Sequence, residues 1–485
     1  MECELLPYSY KVHCNIREPE YSRLSMFCTR HVFFLVLSPT PDGLTKKADF
    51  RRLCAPDHRH HALFEWIDVP DDFAPQTLDM ALQAISSQIS ESVSAEQIPL
   101  AAAGGRFLAR DVCSPKDVPA HPLSAMDGFA FSLSHLNKAD TNKPLSLRVT
   151  GKSLAGRPFE GFADPAGCIR IFTGARVPEG FDAVIPQERV SQSTSGEQVE
   201  FSTEGISPMA NIRQAGEDIA GGAVALAAGT RISPQAIALL ASIGIAQVEV
   251  MRSLRVAVLS TGDEVADPGG PLPEGAIYDA NRPLLMELIR AIGADPIDLG
   301  IVRDDADSLR HHLRHAASIA DAVITSGGVS VGEADHTRAV MQSLGEIAFW
   351  KLAIKPGRPL AAGWIHNESG QRTPFFGLPG NPVAAFVTFQ GIVGPCLQRL
   401  GGATPVKQPT VRARLARATK KTPGRTEFLR CKLTRDAQGD WRAEIAASQG
   451  AASIKSLVDA DGLAVLPHDA GPLAEGAAID VLLLK

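Results

Sequence analysis

Nowhere in the 485 residues do two cysteines stand as a C-x-x-C pair, although the chain has eight cysteines. Neither a disulfide framework nor a zinc ribbon is therefore indicated. Long apolar runs are also missing near the start. The most apolar early stretch, residues 31–37, is too short and too late for a signal peptide or a spanning helix. Positive charge is not in excess: 48 Lys and Arg face 54 Asp and Glu, a net charge of −6. Such a chain lacks the basic field of a general nucleic-acid binder. No internal repeat is evident. With 45% apolar and 21% charged residues the composition is that of a soluble globular protein, which excludes global disorder and fibrous repeats. At about 100–200 residues per domain, the length gives two to four folded units. The expectation is a cytoplasmic multidomain protein with no nucleic-acid or membrane partner.

The common catalytic fingerprints are absent too. No G-x-G-x-x-G follows the apolar run 254–259, and Gly151-Lys152-Ser153 lacks the earlier glycine of a P-loop because position 146 is Ser. His311, His312 and His315 lack the glutamate of H-E-x-x-H and read as a solvated helix face. No G-x-S-x-G elbow is present. Residues 1–72 carry Cys3, Cys14, Cys28, Cys54 and the run His58-Arg59-His60-His61 at spacings that match no metal-ligand pattern. They read as an irregular extension, or as residues ahead of a later start at Met26 or Met80, and are left unassigned.

What is present is a change of rhythm along the chain. Leu78, Ala81, Leu82, Ile85, Ile89 and Val93 fall on one helical face. Residues 113–205 break into short strand-like pieces (145–149, 168–172, 183–185) among many Gly and Pro. Ser233-Pro234 opens a helix that Gly244 closes. Between 254 and 401 apolar strands alternate with amphipathic helices, which predicts a mostly parallel sheet covered on both faces. After Gly401-Gly402 the tail is β-rich, with residues 441–445 set to pair on 428–433 across a turn at 436–440.

In such a sheet ligands bind beyond the carboxyl ends of the strands. Three loops at predicted strand ends are rich in Gly and hydroxyls: 260–264, 325–332 and 377–382. Gly lets backbone N–H groups approach a ligand closely, and a following helix N-terminus favours an oxyanion. Lys351, Lys355 and Arg358 lie within eight residues, and Asp263, Glu264, Asp304, Asp305 and Asp335 stand just past strands or at helix starts. Cations beside acids at one sheet edge suit a phosphate ester with Mg²⁺. Solvated surface ion pairing is the alternative reading.

Eight segments in order give the chain a resemblance to the molybdopterin molybdenumtransferase family, whose animal relatives form the corresponding domain of gephyrin. They are Ser124-Ala125-Met126-Asp127-Gly128-Phe129-Ala130, residues 171–184 around Thr173, Gly216-Glu217-Asp218-Ile219, residues 260–264, Tyr278-Asp279-Ala280-Asn281, residues 325–330, Lys355-Pro356-Gly357-Arg358-Pro359 and residues 377–382. The resemblance covers about residues 75–485. It implies a multidomain α/β plus β architecture: an elongated linker domain (73–112 and 206–253), an inserted β-rich domain (113–205), a doubly wound molybdopterin-binding α/β domain (254–403) and a C-terminal β-barrel (404–485). It further implies a homodimer whose cleft lies between the α/β domain of one subunit and the inserted domain of the other. There, molybdate enters adenylylated molybdopterin with Mg²⁺ present and AMP leaves, and contact with other molybdenum cofactor biosynthesis proteins is expected.

Carried over by position, Asp127, Thr173 and Asp218 form the inserted-domain side of the cleft. Glu264, Asp304 and Asp335 are the acidic positions of the α/β domain and the expected Mg²⁺ ligands. Lys351, Lys355 and Arg358 are the basic positions. Thr325, Ser326, Gly327, Gly328 and Ser330 serve the pterin phosphate, while Pro379, Asn381 and Pro382 shape the loop below it. Two departures stand out: Arg358 where Lys is common, a planar fork in place of a point charge, and Ala384 where Ser often sits. The adenylyltransferase step and a non-catalytic, gephyrin-like scaffold are the alternatives. The Asp127 and Thr173 segments with the flanking domains argue against the first, and the retained acidic and basic set against the second.

Overall fold

Apolar strands flanked on both faces need a covering layer on each side, and residues 254–401 provide it. The computed structural model describes the strands Tyr21–Thr29, Val32–Pro39 and Lys46–Asp49, and residues 75–89, 92–136, 144–328, 336–366, 370, 372–404 and 408–484. The α/β sheet contains β1 (Arg255–Thr261), β2 (Asp295–Val302), β3 (Ala322–Ser326), β4 (Gly345–Lys351), β5 (Pro359–His366) and β6 (Arg372–Leu378) in the order β2-β1-β3-β6-β5-β4. β2, β1, β3 and β6 run parallel, while β5 and β4 add an antiparallel edge. Side chains alternate between faces. Val256, Val258 and Ile324 join the core formed with the helices Asn281–Ala291 and Pro382–Thr388, whereas Ala257, Leu259 and Val323 join the core under Ala306–Ile319 and His336–Leu344. Each fully buried Leu, Ile or Val side chain contributes about 1.5–3 kcal/mol.

The order β2-β1-β3 means that the chain leaves β1 for one side and returns to the other, so a crevice opens past the ends of β1 and β3. Loops 262–264, 303–305 and 379–382 all lie at this edge, as do Gly327 and Gly328 just after β3.

The remaining parts of unit 72–485 are β-rich. In the inserted region six strands pair in the order Ala183–Pro186, Gly128–Phe131, Gly167–Ile171, Leu145–Ser153, Gln198–Phe201 and Ser191–Gln192. Two-stranded ladders, Ala95–Pro99 with Gln247–Met251 and Leu123–Ser124 with Ile212–Arg213, connect it to the rest. The helix Pro234–Ser242 begins at Ser233, whose hydroxyl accepts from Ala236 N at 3.1 Å, and Gly244 ends it at φ +88°. The tail is a closed barrel: β7 (Thr410–Leu415), β8 (Thr426–Arg435), β9 (Trp441–Ile445), β10 (Gly462–Leu466) and β11 (Ala478–Leu483) run β8-β9-β7-β11-β10 and close by β10 on β8. The expected hairpin is β8 with β9, Arg435 opposite Trp441.

Three details differ from the sequence reading. The first helix, Leu78–Ser86, stops short of Val93, because Ser86 and Ser87 turn their hydroxyls back onto the Gln83 and Ala84 carbonyls. It packs with the α/β core, and Gln76 N donates to the Lys351 carbonyl at 3.0 Å. The last of the amphipathic helices expected before residue 401 runs over Pro382–Leu400 and carries a π-turn at Phe389–Val393. Pro382–Leu400 is long and apolar enough to cross a membrane by length and composition, but 67% of its most apolar window is buried, as in a core helix.

The other unit, 1–71, contributes a three-stranded antiparallel sheet among its described residues. Cys3, Cys14, Cys54, His58, His60 and His61 lie outside the described residues.

Candidate functional site

β1 and β3 end in a row of hydroxyls, Ser260-Thr261 and Thr325-Ser326, all at most 3% exposed. Alternation sends Ser260 and Ser326 to the face of the helix Asn281–Ala291, and Thr261 and Thr325 to the face of the helix His336–Leu344. The Oγ of Ser260, the Oγ1 atoms of Thr261, Thr325 and Thr337, and Oδ1 of Asn281 are buried with no hydrogen-bond partner among the described residues. Leaving a buried polar atom unmade costs about 1–3 kcal/mol, so five at one sheet edge mark a place built to meet a polar ligand.

Glycine sets how closely the loops approach. Gly327 has φ +91°, and a Cβ there would lie 2.4 Å from the Thr261 carbonyl oxygen. Gly328, at φ +68°, would bring a Cβ to 2.7 Å from Thr337 Oγ1 and 2.8 Å from Thr261 Oγ1. The Gly377–Pro382 loop lies alongside, since a Cβ on Gly380 would be 3.9 Å from Gly327 Cα. Asn381 precedes the helix Pro382–Thr388 as its cap residue, and Pro382 occupies the first turn, where a missing N–H is harmless.

Asn281 joins the two loops, a role the motif reading did not assign. Its Nδ2 donates to Ser326 Oγ at 2.6 Å, to the Gly380 carbonyl at 2.9 Å and to the Pro379 carbonyl at 3.4 Å. The neighbouring Arg282 fixes the helix start. Its guanidinium reaches Asp279 at 3.1 Å, Asp298 at 2.6 Å and Asp267. Asp279 Oδ1 in turn accepts from the N–H groups of Asn281 and Arg282.

Acids gather on the adjacent loops. The Asp304 N–H donates weakly to Asp263 Oδ1 at 3.5 Å, which brings the ends of β1 and β2 together. The Glu264 carboxylate folds back over Gly262, 2.5 Å from where a Cβ would stand. Asp335 and Ser330 lie outside the described residues. Among the described residues no three His, Cys, Asp or Glu side chains are placed to hold a metal ion. Mg²⁺ does not require such a cage, because it commonly keeps its waters and takes one or two carboxylates plus substrate phosphates. Asp263, Glu264 and Asp304 fit that pattern.

The basic segment runs from the end of β4 to the barrel. The Arg358 carbonyl accepts from the Leu352 N–H at 2.7 Å, a bond that folds the segment back at Pro356-Gly357. Ile354–Lys355 pairs parallel with β8, and Lys355 Nζ lies 3.4 Å from Glu427, whose side chain is 7% exposed. Lys355 is itself half exposed. The barrel adds a second residue that motif reading missed, Arg430, which is fully buried and has no carboxylate partner among the described residues. It donates to the Ser448 and Gly450 carbonyls at 3.3 and 3.0 Å, Nη1 has no partner among the described residues, and burial pushes the guanidinium pKa down. The same loop holds the first turn after Pro382, because Ala451 O accepts from Val383 N at 3.0 Å.

The inserted-domain residues form their own network. Asp127 Oδ1 accepts from both the N–H and the hydroxyl of Thr173 at 2.8 Å. These bonds, the backbone one foremost, hold the Asp127 carboxyl below its ordinary range. Asp218 pairs with Arg213 at 2.6 Å, and Arg213 lies opposite Leu123 in the short ladder leading to Asp127. The expected residues that are described thus fall into two groups, one on the α/β domain and one formed by Asp127 and Thr173 of the inserted domain with Asp218 on the adjoining linker. A roomier cavity of about 770 Å³ lies elsewhere, lined by Phe107, Ile292, Gln398 and Leu482, and gathers none of the expected residues.

Comparison with known proteins agrees with this layout. The MoeA N-terminal region (domains I and II) matches residues 76–244, a probable molybdopterin binding domain matches 257–399, and the MoeA C-terminal region (domain IV) matches 412–484. The molybdopterin molybdenumtransferase of Haemophilus influenzae is 41% identical over 406 residues, covering 84% of this chain and 98% of that protein. The protein of that name from a Nostoc species is 36% identical over 315 residues, covering 65% and 71%. A molybdopterin biosynthesis MoeA structure from Pyrococcus horikoshii superimposes with a TM-score of 0.72 at 27% identity, covering 84% of this chain and 100% of that one. A second structure of a MoeA protein from the same source gives 0.68 at 33% identity, with 85% and 100% covered. Sequence, domain order and fold agree, and the chain belongs to the molybdopterin molybdenumtransferase family.

Proposed function

We propose that this protein inserts molybdate into adenylylated molybdopterin and releases AMP, giving molybdenum cofactor. The observation that carries the reading is the row of buried, unpartnered hydroxyls at the ends of β1 and β3, flanked by glycine loops. Phosphate oxygens would satisfy the Thr261 and Thr325 hydroxyls, and Asn281 holds the two loops at fixed spacing around them. Lys351 and Lys355 offer ammonium groups to phosphate or molybdate oxygens. Asp127, kept ionised by Thr173, is suited to orient the group that attacks the adenylyl phosphorus. Arg358, Asn381 and Pro382 maintain the backbone around the pterin side.

Mg²⁺, held by Asp304 and Glu264 with Asp335, would neutralise negative charge on the pyrophosphate as the bond to AMP breaks. The two half-sites on separate domains support a homodimer in which the α/β domain of one subunit meets the inserted domain of the other. We place the reaction in the cytoplasm, in keeping with the unpaired cysteines Cys113, Cys168, Cys396 and Cys431.

Purified protein given adenylylated molybdopterin, Mg²⁺ and molybdate should release AMP and yield cofactor that activates a cofactor-free molybdoenzyme. No AMP release under these conditions contradicts the reading. Lys355→Ala should raise the half-saturating molybdate concentration about tenfold while leaving the maximal rate within about threefold, the loss of one charge-assisted contact. Unchanged half-saturation removes Lys355 from oxyanion binding.

A further inference from the structure

One charged residue of the inserted domain is built around Asp127 without touching its carboxylate. Arg170 lies in the strand Gly167–Ile171, directly opposite Phe129 on one neighbouring strand and Lys152 on the other. Its guanidinium lies over two rings, 4.9 Å from the centroid of Phe129 and 4.8 Å from that of Phe172. Lys152 Nζ also rests on Phe172, at 5.1 Å. A second cation opposite Arg170 disfavours this arrangement electrostatically, and its hydrogen bonds, the two rings and a weaker attraction to the Asp127 carboxylate oppose that repulsion.

Those hydrogen bonds end on the backbone next to Asp127 and on the residue that binds its carbonyl. Arg170 Nη1 donates to the Gly128 carbonyl at 3.2 Å, one residue after Asp127. Nη2 donates to Gln187 Oε1 at 2.5 Å, and the Gln187 N–H donates to the Asp127 carbonyl at 2.9 Å. Phe172, gripped by the same guanidinium, immediately precedes Thr173, which supplies both donors to the Asp127 carboxylate. One planar fork therefore fixes the backbone after Asp127, the residue that binds its carbonyl, and the residue next to its partner. A lysine in its place is a single point donor and cannot make the two bonds in one plane.

We infer that Arg170 is a positioning residue for the reaction, locking the Asp127–Thr173 pair in its working geometry. The inference rests on the proposed function, in which Asp127 serves the chemistry. Because Arg170 acts through that pair, its loss should lower turnover and leave ground-state binding of substrate alone.

The test uses the full chain with adenylylated molybdopterin, Mg²⁺ and molybdate, and reads kcat and KM for AMP release. Arg170→Met should lower kcat at least about tenfold with KM within about twofold, the scale expected for a displaced reacting group. Arg170→Lys, which keeps the charge and loses the fork, should not restore kcat. A wild-type kcat in Arg170→Met overturns the inference. So does full rescue by lysine, or a rise in KM at constant kcat, since either assigns Arg170 an electrostatic or binding role. If Arg170→Met does not fold, Gln187→Leu decides: a several-fold fall in kcat supports the inference and an unchanged kcat overturns it. Full turnover by Asp127→Asn is a different result, which removes Asp127 from the proposed function and the role of Arg170 with it.

Discussion

Gly327→Ala is expected to lose about 100-fold or more in AMP release and about 2–4 kcal/mol of stability. The residue sits at φ +91°, where an L side chain is strained, and the added Cβ would lie 2.4 Å from the Thr261 carbonyl oxygen. That contact is with backbone at the buried end of β1, so no side chain can swing away to relieve it. Either β1 and β3 separate at their ends or the loop after Ser326 rotates. Both outcomes scatter the hydroxyls of Thr261 and Thr325. Denaturant unfolding and AMP release measured on the same preparation check the two effects, and a variant that matches wild type in both contradicts the close approach.

Asn281→Asp replaces one NH₂ group with one oxygen and is expected to cost about 3–5 kcal/mol near neutral pH, with a comparable collapse of turnover. In the wild-type protein Nδ2 faces three acceptors, Ser326 Oγ and the carbonyls of Pro379 and Gly380. A carboxylate there meets two carbonyl oxygens with no proton between them. Burial and those carbonyls both favour the neutral acid, so the introduced group has a raised pKa in the folded state. A raised folded pKa means that the native state binds more protons than the unfolded chain, so stability falls as pH rises. The deficit relative to wild type should therefore shrink as pH is lowered from 8 toward 5. A deficit that is flat or grows with falling pH contradicts the assignment of Nδ2 as the group that ties the loops together.

These two residues show where the sequence was informative. Strand ends and glycine loops were readable because each is a local signal: an apolar run of strand length stops at Ser260-Thr261-Gly262 or Thr325-Ser326-Gly327, and glycine supplies the positive φ of Gly327 and Gly328. Asn281 stood inside a recognised motif, yet its work is invisible there, because its amide bonds reach 45, 98 and 99 residues along the chain. Arg170 and Arg430 were missed for the same reason. Nothing near Arg430 in sequence says that a barrel strand will carry a buried guanidinium whose partners are the carbonyls of residues 448 and 450, in a loop touching Val383. The helix Leu78–Ser86 was legible as a helix, but its docking on the α/β core was not, since its apolar face is compatible with any apolar surface. The pairing of Lys355 with Glu427 likewise depends on β8 closing against the segment after β4.

The most direct test of the account is complementation between the two half-sites. Asp127→Asn and Asp304→Asn should each be nearly inactive alone, because each spoils one side of every cleft. Unfolded together and refolded as a mixture, they form heterodimers in which one cleft combines two damaged sides and the other two intact ones. Random pairing then restores about one quarter of wild-type AMP release. A mixture no more active than its components contradicts a cleft shared between subunits, and full activity in either single variant contradicts the use of that residue in it.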